Sequence, residues 1–86
     1  MESSATKFER EYQAIRVWCD VDSLHVELSD GRQIITPLEF YPRLRKANPK
    51  QRENAKIIGL GTGIHWPDID EDLSVAGIVL GIPASF

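Results

Sequence analysis

From Ile15 to Leu28 apolar and polar residues alternate with a period of two, and an Asp30-Gly31 pair then separates this stretch from Ile34, Ile35 and Thr36. In an extended chain successive side chains point to opposite faces. Ile15, Val17, Cys19 and Val21 therefore fall on one face, and Arg16, Trp18, Asp20 and Asp22 on the other. Leu24, Val26 and Leu28 alternate in the same way with His25, Glu27 and Ser29. Asp-Gly is a strong hairpin signal, because glycine adopts positive φ readily and aspartate tolerates it better than most residues. Asp22-Ser23 supplies a weaker turn. The pattern predicts three consecutive antiparallel strands with one face covered and one wet.

Pro37 lacks the N–H that a ladder needs and ends the third strand. Leu38, Tyr41 and Leu44 follow at helical spacing, with Phe40 and Ala47 beside them. A proline is tolerated in the first helical turn, so either a helix of about two turns starts near Phe40 or Tyr41, or residues 38–41 are a turn leading into it. Asn48-Pro49 closes it, and residues 50–56 form a charged connector that can itself be helical. Gly59, Gly61 and Gly63 share one parity and Leu60, Thr62 and Ile64 the other. As a strand, such a segment has one face nearly without side chains, so another backbone must approach it or the strand must bend. Residues 75–81 read as a short C-terminal helix stopped by Gly81-Ile82-Pro83. The expectation is an α+β fold: a small antiparallel sheet of about four strands with two short helices. Eighty-six residues leave room for one core, so a single domain is expected over 13–86, preceded by a flexible N-terminal arm over 1–12.

A domain of this size buries only about 60 to 65% of the surface of its unfolded chain, which leaves little material for an enclosed active site. The single cysteine, Cys19, excludes an intrachain disulfide and reads as a small buried hydrophobe in a reducing compartment. No N-terminal apolar run resembles a signal peptide, and no stretch approaches the about 20 apolar residues that cross a bilayer. The expected location is cytoplasmic, with no membrane partner. The net charge of −3 is unevenly placed. Residues 1–42 carry four basic and eight acidic side chains, 43–56 carry six basic and one acidic, and 57–86 carry four acidic and none basic.

Three groups of residues invite a chemical reading. The run Gly59-Leu60-Gly61-Thr62-Gly63 suggests phosphate contact, but it has neither the spacing of a dinucleotide fingerprint nor the lysine of a phosphate loop. Asp68, Asp70, Asp72 and Ser74 occupy relative positions 1, 3, 5 and 7 of a calcium loop, yet Leu73 replaces the turn glycine and Val79 the bidentate glutamate. The simpler role is capping: Asp72 or Ser74 satisfies the first N–H groups of the helix that follows. Two histidines and one cysteine lack the spacing of a zinc site, and no cofactor is expected. His65 with Asp70 or Asp72 is the one arrangement that permits a small hydrolase. Finally, Arg43, Arg45, Lys46, Lys50, Arg52 and Lys56 form a basic segment suited to an acidic protein or to nucleic-acid phosphates.

Four stretches resemble the small bacterial family known as domain of unknown function 2442. They are Asp30-Gly31-Arg32, the run from Thr36 to Leu44, Arg52-Glu53-Asn54, and the run from Gly63 to Ser74 that contains His65-Trp66-Pro67-Asp68-Ile69-Asp70-Glu71-Asp72. The resemblance spans residues 15–81. It implies a short α+β protein encoded beside another small protein and described as antitoxin-like. Ala55, where relatives often carry Trp, and Thr62, where Tyr is common, depart from the pattern. Relatives fused to a helix-turn-helix bind DNA through a module for which this chain has no residues to spare. The resemblance supplies no catalytic residue.

The resulting expectation is a noncatalytic protein-binding module, the antitoxin-like component of a toxin–antitoxin pair, whose partner is the neighbouring-gene protein. Trp18, Phe40 and Tyr41 are the expected apolar anchors, and Arg43, Arg45, Lys46, Lys50 and Arg52 the steering charges. A nucleic-acid-binding regulator is the first alternative and the hydrolase the second; a homodimer is compatible with either.

Overall fold

A computed structural model describes residues 12–84. Residues 1–11 of the expected arm lie outside the described residues, and Tyr12, assigned to the arm, is a buried part of the core. The strands β1 (Ala14–Cys19), β2 (Ser23–Leu28) and β3 (Gln33–Pro37) form an antiparallel sheet in the order β1-β2-β3. Asp20 organises the first turn by accepting from the backbone N–H groups of Asp22 and Ser23 at 2.8 and 2.7 Å. Gly31, at φ 95°, supplies the positive φ of the second, and Asp30 accepts from the Arg32 backbone N–H at 3.0 Å.

The chain then takes a 3-10 turn (Leu38–Phe40) into α1 (Pro42–Lys46) and α2 (Pro49–Glu53). A second antiparallel sheet follows, in the order β4 (Lys56–Ile58), β5 (Gly63–Trp66) and β6 (Glu71–Ser74), and α3 (Val75–Val79) ends the fold. β1 lies alongside β4, and α3 touches both β6 and β3, so the two sheets and α3 enclose one core. Leu24, Val26, Leu28, Leu44, Ile64, Trp66 and Val75 are fully buried in it.

The expected sheet of about four strands with two short helices is thus corrected to two three-stranded sheets with three short helices. Two local causes account for the difference. Asn48-Pro49 opens a helix instead of only closing one. The Asn48 side chain accepts from the Gln51 N–H while the Gln51 side chain accepts from the Asn48 N–H, a capping box, and Pro49 sits at the first helical position. The acidic residues 71–74, read as a helix entrance, have the parity of a strand and pair residue by residue with β5, from Trp66 opposite Glu71 to Gly63 opposite Ser74. Ser74 still caps α3, accepting from the Gly77 N–H at 2.9 Å.

β1 carries a second correction. Ala14 pairs with Leu28 and Arg16 with Glu27, so Ile15 is an extra residue in a β-bulge and turns outward. Ala14 replaces it on the inner face with Val17 and Cys19. Val21, also expected inside, sits in the turn and is 82% exposed. The glycine run meets the close approach that its parity requires: Gly59–Gly61 forms a 3-10 turn, and a Cβ on Gly61 would stand 3.0 Å from the Ala14 carbonyl oxygen.

Candidate functional site

The basic residues cluster at the corner made by α1 and α2. Leu44 is the buried residue of α1, and Arg43, Arg45 and Lys46 are exposed around it, with Lys50 exposed on α2. Each helix is only five residues long and holds its shape through capping and packing rather than through intrinsic propensity. Arg52 is different. Its guanidinium is half-buried and donates to the carbonyls of Leu44 at 2.8 Å and Arg45 at 2.7 Å, which satisfies the open C-terminal end of α1. Arg43 reaches across the fold and donates to the Asp70 carbonyl at 2.7 Å. At this corner the exposed cations without such structural duty are Arg45 and Lys50, which make no ion pair among the described residues; Lys56, also exposed, lies on β4. A shallow cleft of about 210 Å³ opens among Glu39, Pro42, Arg45 and Lys46.

The three aromatic anchors separate. Tyr41 is 1% exposed and belongs to the core, so its side chain is unavailable to a partner in this conformation. Its hydroxyl is buried, and among the described residues no hydrogen bond to it meets full geometry; burial raises its pKa, an effect that the Thr36 side chain opposes. Phe40 is half-buried and meets Tyr41 edge to face. Trp18 lies on the outer face of the first sheet, opposite His25, whereas Leu44 packs with the inner-face residues Leu24, Val26 and Leu28. The sheet therefore lies between Trp18 and the helix that carries Arg43, Arg45 and Lys46, and the expected single surface of tryptophan and basic residues is divided.

That outer face has its own organisation. His25 stacks on Trp18 with centroids 5.0 Å apart, and the Arg16 guanidinium sits 4.5 Å from the indole centroid. His25 Nε2 bonds the Asp20 carboxylate at 2.7 Å, which, with the two turn N–H groups, holds that carboxyl below its ordinary value. Ile35, directly across from His25 on β3, is 59% exposed. Arg16 was legible as a neighbour of Trp18, because residues two apart on a strand share a face; the cross-strand partner His25 needed the register.

The second sheet brings His65 together with Asp72, its cross-strand partner: His65 Nδ1 and Asp72 Oδ1 are 2.5 Å apart on the outer face. Asp70 does not join them. It adopts a left-handed backbone, φ 53° and ψ 47°, and takes the sharp turn into β6. The 260 Å³ cleft that Asp72 helps line is bordered by Tyr41, Leu73, Ile78 and Ile82, with His65 absent from its walls. Among the described residues no three His, Cys, Asp or Glu side chains converge as metal ligands do. No helix among the described residues is long and apolar enough to cross a membrane.

Polar contacts tie the tract 65–74 to α1 and α2. The Trp66 indole donates to the Arg52 carbonyl at 3.1 Å, the Asn54 amide donates to Asp68 at 3.3 Å, and Arg43 holds the Asp70 carbonyl. These join the Arg52-Glu53-Asn54 element to the tract. The family model for protein of unknown function (DUF2442) matches residues 14–84. The chain belongs to this family. The DUF2442 fold recurs in the crystal structure of a protein of unknown function from Rhodospirillum rubrum, with a TM-score of 0.78 and 30% identity over 87% of this chain and 93% of that one. It recurs also in the solution structure of an uncharacterised protein from Chromobacterium violaceum, with a TM-score of 0.76 and 21% identity over 95% of this chain and 78% of that one, a likeness of fold alone. No curated protein matches the chain. Ala55 packs half-buried against the core, and Thr62 donates its hydroxyl to the Gly59 carbonyl at 2.7 Å.

Proposed function

We propose that this DUF2442 protein is a noncatalytic protein-binding module, the antitoxin-like member of a two-protein system, and that it receives an acidic surface of its neighbouring-gene partner on the α1–α2 corner. The observation that carries the reading is the concentration of exposed Arg43, Arg45, Lys46 and Lys50 there, with Arg45 and Lys50 free of ion pairs among the described residues. A patch of net positive charge, here four cations with Glu39 and Glu53 beside them, steers an oppositely charged partner and raises its association rate more than its lifetime. The cleft beside Pro42 is a seat for one partner side chain. Trp18 supports the reading less than its sequence position implied, because it lies across the sheet and is flanked by Arg16 and His25.

Copurification with the product of the adjacent gene, at low and at high salt, tests this reading. The expected result is a complex whose association slows by about tenfold or more when Arg45, Lys46 and Lys50 are all changed to Glu. Absence of any complex at micromolar concentrations would sink it. Salt-dependent binding to duplex DNA with no protein partner would replace it by the nucleic-acid alternative.

A further inference from the structure

We propose that the cleft between β6, α3 and residues 82–84 binds a cation carried on an apolar stem, the chemistry of an alkylammonium group. The cleft holds about 260 Å³, smaller than most drug-sized sites, and so suits one long side chain or a small molecule. Leu73, Ile78 and Ile82 give it apolar walls, Glu71 and Asp72 contribute to its lining, and among the described residues no basic side chain does. Tyr41 completes the wall, with its hydroxyl buried beneath it.

Glu71 is the residue that singles out this site. Other polar side chains of the tract are used by the fold: His65 pairs with Asp72, Trp66 with the Arg52 carbonyl, Asp68 with Asn54, and Ser74 with the Gly77 N–H. Asp70 is explained by its left-handed backbone. Glu71 is half-buried, yet among the described residues no hydrogen bond or ion pair reaches its carboxylate. Arg43, which reaches the neighbouring residue, donates to the Asp70 carbonyl. A half-buried carboxylate above apolar walls favours a ligand that is positive at one end and apolar along its length. An anion is repelled by the Glu71 carboxylate, and an uncharged apolar ligand leaves it unpaired.

The group can come from a free amine or from a lysine side chain, and the inference stands apart from the α1–α2 reading. The test uses the isolated protein. Backbone amide shifts are followed during titration with n-pentylammonium, with Nα-acetyl-lysine N-methylamide and with pentan-1-ol. Saturable shifts at Gly77, Ile78 and Ala84 are expected with an amine, and the tighter of the two identifies the source. Glu71→Gln weakens binding by about three- to tenfold, discounted for its exposure. Ile82→Ser, at a residue outside the core, weakens it through the wall. The proposal is overturned by no saturable shift with either amine, by equal binding of pentan-1-ol, or by indifference to both substitutions. Partner copurification is unaffected by such a failure, so the two readings fail separately.

Discussion

The indole N–H of Trp66 donates to the backbone carbonyl of Arg52 at 3.1 Å, while the guanidinium of the same arginine donates to the carbonyls of Leu44 and Arg45. One residue thereby joins the buried tryptophan of β5 to the end of α1. Replacing Arg52 by Met keeps much of the stem but leaves two helix-terminal carbonyls without their charged donor. Hydrogen bonds to charged groups contribute about 1.5 to 3 kcal/mol, and partial exposure reduces that, so a loss of about 1 to 2 kcal/mol is expected. Urea unfolding measures it; an unchanged midpoint contradicts the assignment.

This hub also marks where the sequence stopped being legible. The alternation through Leu24, Val26 and Leu28 carried the first sheet correctly, because a period of two with an Asp-Gly turn leaves few other options. Arg52 read as one more cation in a basic run, since nothing local distinguishes a solvated guanidinium from one that satisfies carbonyls seven and eight residues upstream. The bulge at Ile15 was hidden for a similar reason: its signature is a register relationship with Leu28 and Glu27, not a residue type. In residues 71–74 the strand was hidden, because Glu71-Asp72-Leu73-Ser74 does not alternate in residue type, and the charge of Glu71 and Asp72 ahead of an apolar helix favoured the capping reading; the pairing with β5 is a register relationship.

Acid should loosen the first turn through Asp20. Its bond from His25, reinforced by the N–H groups of Asp22 and Ser23, lowers its carboxyl from the ordinary value of 3.8. The unfolded chain therefore binds this proton more readily than the folded one does. The stabilisation is present above about pH 4 and is lost as the pH falls through the lowered folded value. Stability followed by urea unfolding from neutral pH to about pH 2 should decline less steeply in Asp20→Asn, which keeps an acceptor for the turn but removes the proton. An identical decline in both proteins excludes this role.

Cys19 should be a poor nucleophile. Burial pushes its thiol from an ordinary 9.0 up to about 11, although the Arg52 charge acts in the opposite direction. At pH 8 that shift lowers the thiolate fraction by about a hundredfold, and the disulfide reagent DTNB should react correspondingly slowly. The folded state holds this proton more tightly than the unfolded state. Its contribution is therefore complete below about pH 9 and disappears as the pH rises toward 11. A reaction as fast as that of an unstructured cysteine peptide would falsify the assignment of Cys19 to the protected inner face.

Leu60 and Gly61 should respond to substitution with opposite signs. Leu60 is held at φ 60° and ψ 33° between two glycines, with its side chain 91% exposed. A left-handed backbone costs a leucine roughly 1 to 2 kcal/mol, and nothing buried compensates at this position. Asparagine tolerates that backbone better, so Leu60→Asn should raise stability by about 0.5 to 1 kcal/mol and Tm by a few degrees. Gly61 has φ 91°, and a Cβ there would press on Gln13 and on the Ala14 carbonyl where the second sheet meets the start of β1. Gly61→Ala combines strain with a backbone clash and should destabilise by about 2 kcal/mol or more. Thermal unfolding of both variants decides the matter. If Leu60→Asn is destabilising, the leucine is held at that backbone by packing that its exposure does not reveal; if Gly61→Ala is neutral, β1 and the turn before β5 are not in contact.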